Sequence, residues 1–127
     1  MCATFLGSSS PPVRRIRPRV VHDDGVLRIV RTPGIRGYAL YGEIDASTYH
    51  ALAGALRDLG AKGDVHLNLH GVTFCDAAGL GAMIGLTGQI GGRHQLILDG
   101  LTRTLCTLLT IVGWDTLPNL EVRPRVT

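Results

Sequence analysis

The sequence predicts an α/β domain: a mixed, mostly parallel sheet of about four or five strands flanked by three to four helices. Three observations carry that prediction. Short runs that alternate or are continuously apolar, such as Val65–Leu69 and Gln95–Leu98, read as strands. Between them lie longer segments whose apolar residues recur at spacings of three and four, which is one face of a helix. A length of 127 residues with 45% hydrophobic and 18% charged residues supports one buried core and not two.

The elements follow in order. Val26–Arg31 predicts a strand with Leu27 and Ile29 on one face. Thr32-Pro33-Gly34 is turn chemistry, and Tyr38–Tyr41 is expected to return as its hairpin partner. Asp45 or Ser47 is placed to cap a helix whose inward residues are Tyr49, Leu52, Ala53, Leu56 and Leu59, with Gly60 and Gly63 ending it. Val65, Leu67 and Leu69 alternate with His66, Asn68 and His70 as a half-buried strand. Gly71–Cys75 reads as a short loop. Asp76 then caps a second helix running to about Ile90, with Leu80, Met83, Ile84 and Thr87 inward and Gly91-Gly92 as its stop. Gln95–Leu98 is a further core strand. After Asp99-Gly100 a third helix places Leu101, Leu105, Leu108, Leu109 and Val112 on one face, and Gly113 occupies the position of a left-handed cap. Leu120–Val122 adds an edge strand. The order β-β-α-β-α-β-α-β implies right-handed crossovers and a sheet that is parallel after the opening hairpin.

The net charge is +3, but it is unevenly spread. Arg14, Arg15, Arg17 and Arg19 fall in the first twenty residues, which contain no acid, and the remaining nine basic and ten acidic residues leave the body at −1. Residues 1–20, rich in Ser, Pro and Arg, are expected to form a disordered basic arm, 21–122 the domain, and 123–127 a tail. The arginines have no aromatic residues among them, so the arm does not point to nucleic acid. MCATFLG lacks the basic and apolar regions of a signal peptide, and no run is long enough to span a membrane. A cytoplasmic protein without membrane insertion is expected. The three cysteines, Cys2, Cys75 and Cys106, are odd in number and widely spaced, which is no disulfide framework.

The second helix is unusual. Gly79, Gly81, Gly85 and Gly88 each cost about 1 kcal/mol of helix propensity against Ala. Gly81, Gly85 and Gly88 form a smooth strip that lets another backbone approach, either within the fold or from a partner. This region carries a resemblance. The stretch from His66 to Met83 contains Gly71-Val-Thr-Phe-Cys-Asp-Ala-Ala-Gly-Leu-Gly81, close to "G-V-x-F-x-D-S-x-G-L-G" opening a helix. Gly42-Glu-Ile-Asp45 matches "G-E-(L/I)-D", and Leu108–Asp115 contains, from Leu109, "L-x-x-x-G-(L/W/F)-D". Three motifs in this order resemble the STAS domain, the fold of bacterial anti-sigma-factor antagonists.

The resemblance implies a sheet flanked by helices and a protein switch without catalysis or cofactor. In that family a partner anti-sigma factor, often a serine kinase, phosphorylates the serine of D-S-x-G and the modified form lets go. Here that serine is replaced by Ala77, which has no hydroxyl, and Ala78 cannot stand in for it. The resemblance therefore implies an anti-sigma-factor antagonist-like module that sequesters an anti-sigma factor or serine-kinase-like protein and is not phosphorylatable at the usual site. Its expected contact surface is Asp76, Ala77, Ala78, Gly79, Leu80 and Gly81, then Ala82, Gly85 and Gln89 on the following helix, and Glu43, Asp45 and Ser47 in the turn before the first. The alternative is a STAS scaffold subunit of a larger regulatory or transport assembly.

Other chemistries fit less well. Gly79-x-Gly81-x-x-x-Gly85, with Asp99 twenty residues beyond Gly79, is near a dinucleotide fingerprint, but about ten residues separate Leu69 from Gly79 where the fingerprint allows none. His66, His70, Cys75 and His94 lack zinc spacing, so no metal is expected. No G-x-S-x-G is present for a hydrolase. Cys75 stands at the second helix's N-terminus, a position that favours thiolate, and a Cys75–Cys106 disulfide is a possible redox switch; two small buried thiols are the preferred reading.

Overall fold

Residues 18–59 and 63–126 are described by the computed structural model. The strands are β1 (Arg19–Asp23), β2 (Leu27–Arg31), β3 (Gly37–Ile44), β4 (Val65–Cys75), β5 (Leu96–Leu101) and β6 (Leu120–Pro124). The helices are α1 (Tyr49–Asp58), α2 (Ala77–Ile84), α3 (Leu86–Ile90) and α4 (Arg103–Val112), followed by a 3-10 turn at Trp114–Thr116. The six strands lie side by side in sequence order. β1–β2 and β2–β3 are antiparallel, and every later pair is parallel.

Each parallel crossover steps the same way across the sheet, so right-handed connections put the helices on one face. Burial follows. Val65, Leu67 and Leu69 are buried beneath the helices, whereas His66, Asn68 and His70, on the alternate positions, remain half-buried or exposed. The core joins Leu27, Ile29 and Leu40 of the hairpin to Leu52 and Leu56 of α1, Leu80 and Met83 of α2, and Leu105 and Leu109 of α4. Tyr38 is the largest side chain within it; its hydroxyl donates to Ala55 O of α1 at 2.7 Å, and burial raises its pKa above the ordinary phenol value. Asn119 is buried too, and its Nδ2 donates to Thr87 O at 2.8 Å and Gly91 O at 3.0 Å, tying the end of α3 to the start of β6.

Several expectations are corrected. The described part of the presumed arm is structured, because Arg19 and Val20 begin β1, which pairs with β2 and brings the sheet to six strands. The presumed tail is anchored. β6 continues to Pro124, and Arg125 donates from Nη2 to Leu69 O at 2.8 Å and Val72 O at 3.2 Å, and from Nε to Gly100 O at 3.1 Å. Gly71–Cys75 is not a loop; it extends β4 to 11 residues beside β3. The long second helix is broken at Gly85 into α2 and α3. Neither Asp45 nor Ser47 caps α1. Thr48 holds that place, and its Oγ1 accepts from Asp45 N and donates to Glu43 O, both at 3.0 Å. Gly60 lies outside the described residues. Gly113 does end α4 in the left-handed conformation, with φ of 80°.

Candidate protein-docking surface

Two parallel strands deliver the candidate residues to one end of the sheet. β3 and β4 pair, through two register shifts, up to Ile44 beside Cys75, and Asp76 N donates to Ile44 O at 3.1 Å. The turn after β3 and the helix start after β4 are therefore neighbours at the strands' carboxyl ends, where α/β sheets commonly present their sites.

At the β4 exit, Asp76 adopts extended backbone and its Oδ1 accepts from Gly79 N at 2.8 Å, capping α2 as expected. Leu80 N donates to Asp76 O at 3.0 Å, so the helix begins at once. Ala77 and Ala78 are exposed on its first turn. Gly79 and Leu80 are not on this surface: both are buried, and Leu80 is 0% exposed. A Cβ on Gly79 would overlap Ile44 Cγ2, so glycine is required for α2 to sit this close to β3. The small-residue strip is divided. Gly81 faces the protein's own Trp114, whose Cη2 lies 3.3 Å from where a Cβ would stand. Gly85 and Gly88 are exposed, and nothing lies within 4 Å of the Gly88 position.

At the β3 exit, Glu43 and Ser47 are exposed and Asp45 is half-buried. Asp45 Oδ1 accepts from Ser47 N at 2.9 Å and Ser47 Oγ at 2.6 Å. These bonds, the Ser47 hydroxyl first, hold the Asp45 pKa below the usual carboxylate value. Ala82 and Gln89 are brought with Tyr49, Ala53 and Arg57 of α1 to a groove of 220 Å³ between α1 and the α2–α3 segment. Of the expected set, Ala77, Ala78, Glu43, Ser47, Gly85 and Gln89 are thus exposed, and Asp76, Gly81, Ala82 and Asp45 are half-buried.

Sequence reasoning missed Phe74, which is 52% exposed one residue before Cys75 and lines, with Val72, Thr102 and Leu105, a 260 Å³ recess between β4 and α4. Reading 71–75 as a loop hid it; on a strand an exposed phenylalanine is a visible anomaly. The place at the helix start does not make Cys75 a thiolate, in line with the preferred reading of an inert thiol. Burial, and then the charge of Asp76, push its thiol up to about 12, and Sγ donates to Asp76 O at 3.4 Å. Cys75 and Cys106 are both half-buried and free. The nucleotide reading loses its geometry as well. The approach to Gly79 is filled by Ile44, and Asp99 is taken by His66 Nε2 at 3.3 Å and His70 Nε2 at 3.2 Å.

Residues 37–121 match a protein-family model described as Mlab, STAS domain. The chain belongs to the STAS domain family. The match runs from β3 into β6, so it contains the whole candidate surface and leaves β1 and β2 outside. No curated protein matches the chain. In this STAS domain, among the described residues, no helix is long and apolar enough to cross a membrane.

Proposed function

We propose that this STAS domain is a non-catalytic protein-binding module that holds a partner on the end of the sheet formed by the β3 and β4 exits. The observation that carries the reading is the first turn of α2. Ala77 and Ala78 present a bare, uncharged surface to solvent while Asp76 caps the helix and Gly79 and Leu80 lock it to the core. Such a turn is rigid before binding, which spares a partner the entropy of ordering it. It also lacks a hydroxyl at 77, so no phosphate can be added there to drive the partner away. The partner class that the motifs favour is an anti-sigma factor or serine-kinase-like protein in the cytoplasm, held without phosphate-dependent release.

A second reading, a subunit of a larger regulatory or transport assembly, draws on the same absent hydroxyl. Constitutive binding suits a permanent subunit as well as an antagonist.

Affinity capture with the full chain separates these. The wild type is expected to retain a partner that Ala77→Glu releases, with binding weakened about tenfold or more by the buried charge. An ATP-binding kinase fold among the captured proteins supports the antagonist, and membrane-transport subunits support the assembly. Equal capture by wild type and A77E places the docking surface elsewhere. Mass spectrometry after incubation with a captured kinase is expected to find no phosphate on residues 76–81.

A further inference from the structure

Three arginines surround one recess at the sheet end where β1, β2 and β3 meet. Arg19, Arg31 and Arg36 line it, with the turn at 32–35 between the last two, and it measures 540 Å³ and opens to solvent. No carboxylate is among its lining residues. Among the described residues, no ion pair joins any of the three arginines to an acid. Asp58 stands close enough to Tyr38 to act on its hydroxyl, as Arg31 and Arg19 do, yet it too forms no such pair.

The arrangement is costly as it stands. Arg19 and Arg31 are direct partners across the antiparallel β1–β2 ladder, and like charges directly opposite each other destabilise a sheet. Arg31 is held in place: its guanidinium lies 5.9 Å from the centre of the Tyr38 ring, which is itself fixed by its bond to Ala55 O. Arg36 Nε and Nη2 are buried and, among the described residues, have no acceptor. Those two donors form the side-on fork that matches a pair of anionic oxygens, and leaving them unmatched is unfavourable. Three unpaired guanidinium groups, one with an unspent fork, call for an anion carrying several oxygens. A carboxylate offers two oxygens and one charge. A phosphate offers more of both.

We infer that this recess binds a phosphate group, borne either by a small soluble compound or by a phospholipid headgroup. Arg31 and Arg36 grip it, and Arg19 supplies the third charge. The recess lies in the part of the chain that precedes the matched residues 37–121, so it is independent of the docking surface and of its partner.

The test uses the full chain, labelled with 15N and titrated with inorganic phosphate against sodium chloride at constant ionic strength. Phosphate is expected to shift the amides of Arg31, Thr32, Gly34 and Arg36 saturably, and chloride is not. R31Q/R36Q should weaken this about tenfold or more while the other amide signals hold their positions. The single variant R36Q serves if the double variant loses its dispersion. A second arm sediments the chain with vesicles of phosphatidylcholine containing about 30% phosphatidylglycerol, and with phosphatidylcholine alone. Saturable phosphate shifts without vesicle retention identify a small phosphate compound. Retention on the anionic vesicles that R36Q abolishes identifies a headgroup. Shifts that chloride reproduces, or neither saturation nor R36-dependent retention, overturn the inference.

Discussion

Gly79 and Ile44 meet where α2 crosses the end of β3, and the contact leaves no room for a methyl group. Gly79→Ala is therefore expected to destabilise the domain by about 1–3 kcal/mol, the usual cost of overpacking, although alanine is the better helix former. Urea unfolding measures it, and Ile44→Val in the same chain should recover part of the loss. A G79A variant as stable as wild type would mean that α2 sits further from the sheet. Asp76→Ala removes the cap from the same turn and should cost about 0.5–2 kcal/mol, with Asp76→Asn costing less because its carbonyl still accepts from Gly79 N. Cys75 gives a pH signature. Its folded pKa of about 12 exceeds the ordinary value of 9.0, so the folded state holds its proton more tightly. The contribution is fully present below pH 9 and is lost as pH rises toward 12. Unfolding midpoints of wild type should fall with pH across that window, and those of Cys75→Ser should fall less. Native Cys75 should also react with iodoacetamide far more slowly than the unfolded chain does at about pH 8.

At the scale of the element, the edges of the sheet hold more than their sequences advertise. β6 is an edge strand, yet Arg125 just beyond it reaches three backbone carbonyls of β4 and β5. Arg125→Ala should cost about 1–3 kcal/mol, because charged donors are lost from three acceptors, and it should speed amide exchange in β6 before it affects β3. Equal exchange throughout would show that the arginine merely lies on the surface. The opposite edge, β1, starts inside the stretch that composition marks as an arm. Its residues Val20 and Val21 are exposed, so nothing in their own pattern signals burial, and only pairing with β2 makes the strand. The same holds for β4 beyond Leu69. Gly71 breaks the alternation, and the strand continues because β3 lies alongside to receive its hydrogen bonds.

For the whole molecule, the sequential strand order sets the layout. It leaves one sheet face under the helices and the other open, where the His66–Asp99–His70 cluster lies beside Ile97. One core spans the helix layer and the sheet, so the domain should unfold in a single step. Trp114, packed against Gly81, reports the helix layer, and far-ultraviolet dichroism reports the sheet as well. Their midpoints in urea should coincide; separated midpoints would reveal two independently stable parts. The same layout puts the Glu43–Ser47 turn beside Asp76–Ala78, although some thirty residues separate them in the chain.

Much of this was legible in the linear chain. The alternation in Val65–Leu69, the three-and-four spacing in α1 and α4, the Asp76 cap and the Gly113 terminator are local properties, written in neighbouring residues whose conformational preferences act without outside help. The motifs around Asp76 likewise placed the candidate surface and revealed Ala77 where a hydroxyl would be needed. Tertiary structure alone decided which of those residues face outward. Gly79 and Leu80 belong to the core because Ile44 and the sheet lie beneath them; Gly81 meets Trp114; Cys75 is half-buried and keeps its proton. It also decided that Arg19, Arg31 and Arg36 share one recess. Exposure, close approach and the summing of charge depend on groups distant in the chain, and a local pattern carries no record of which distant group will arrive.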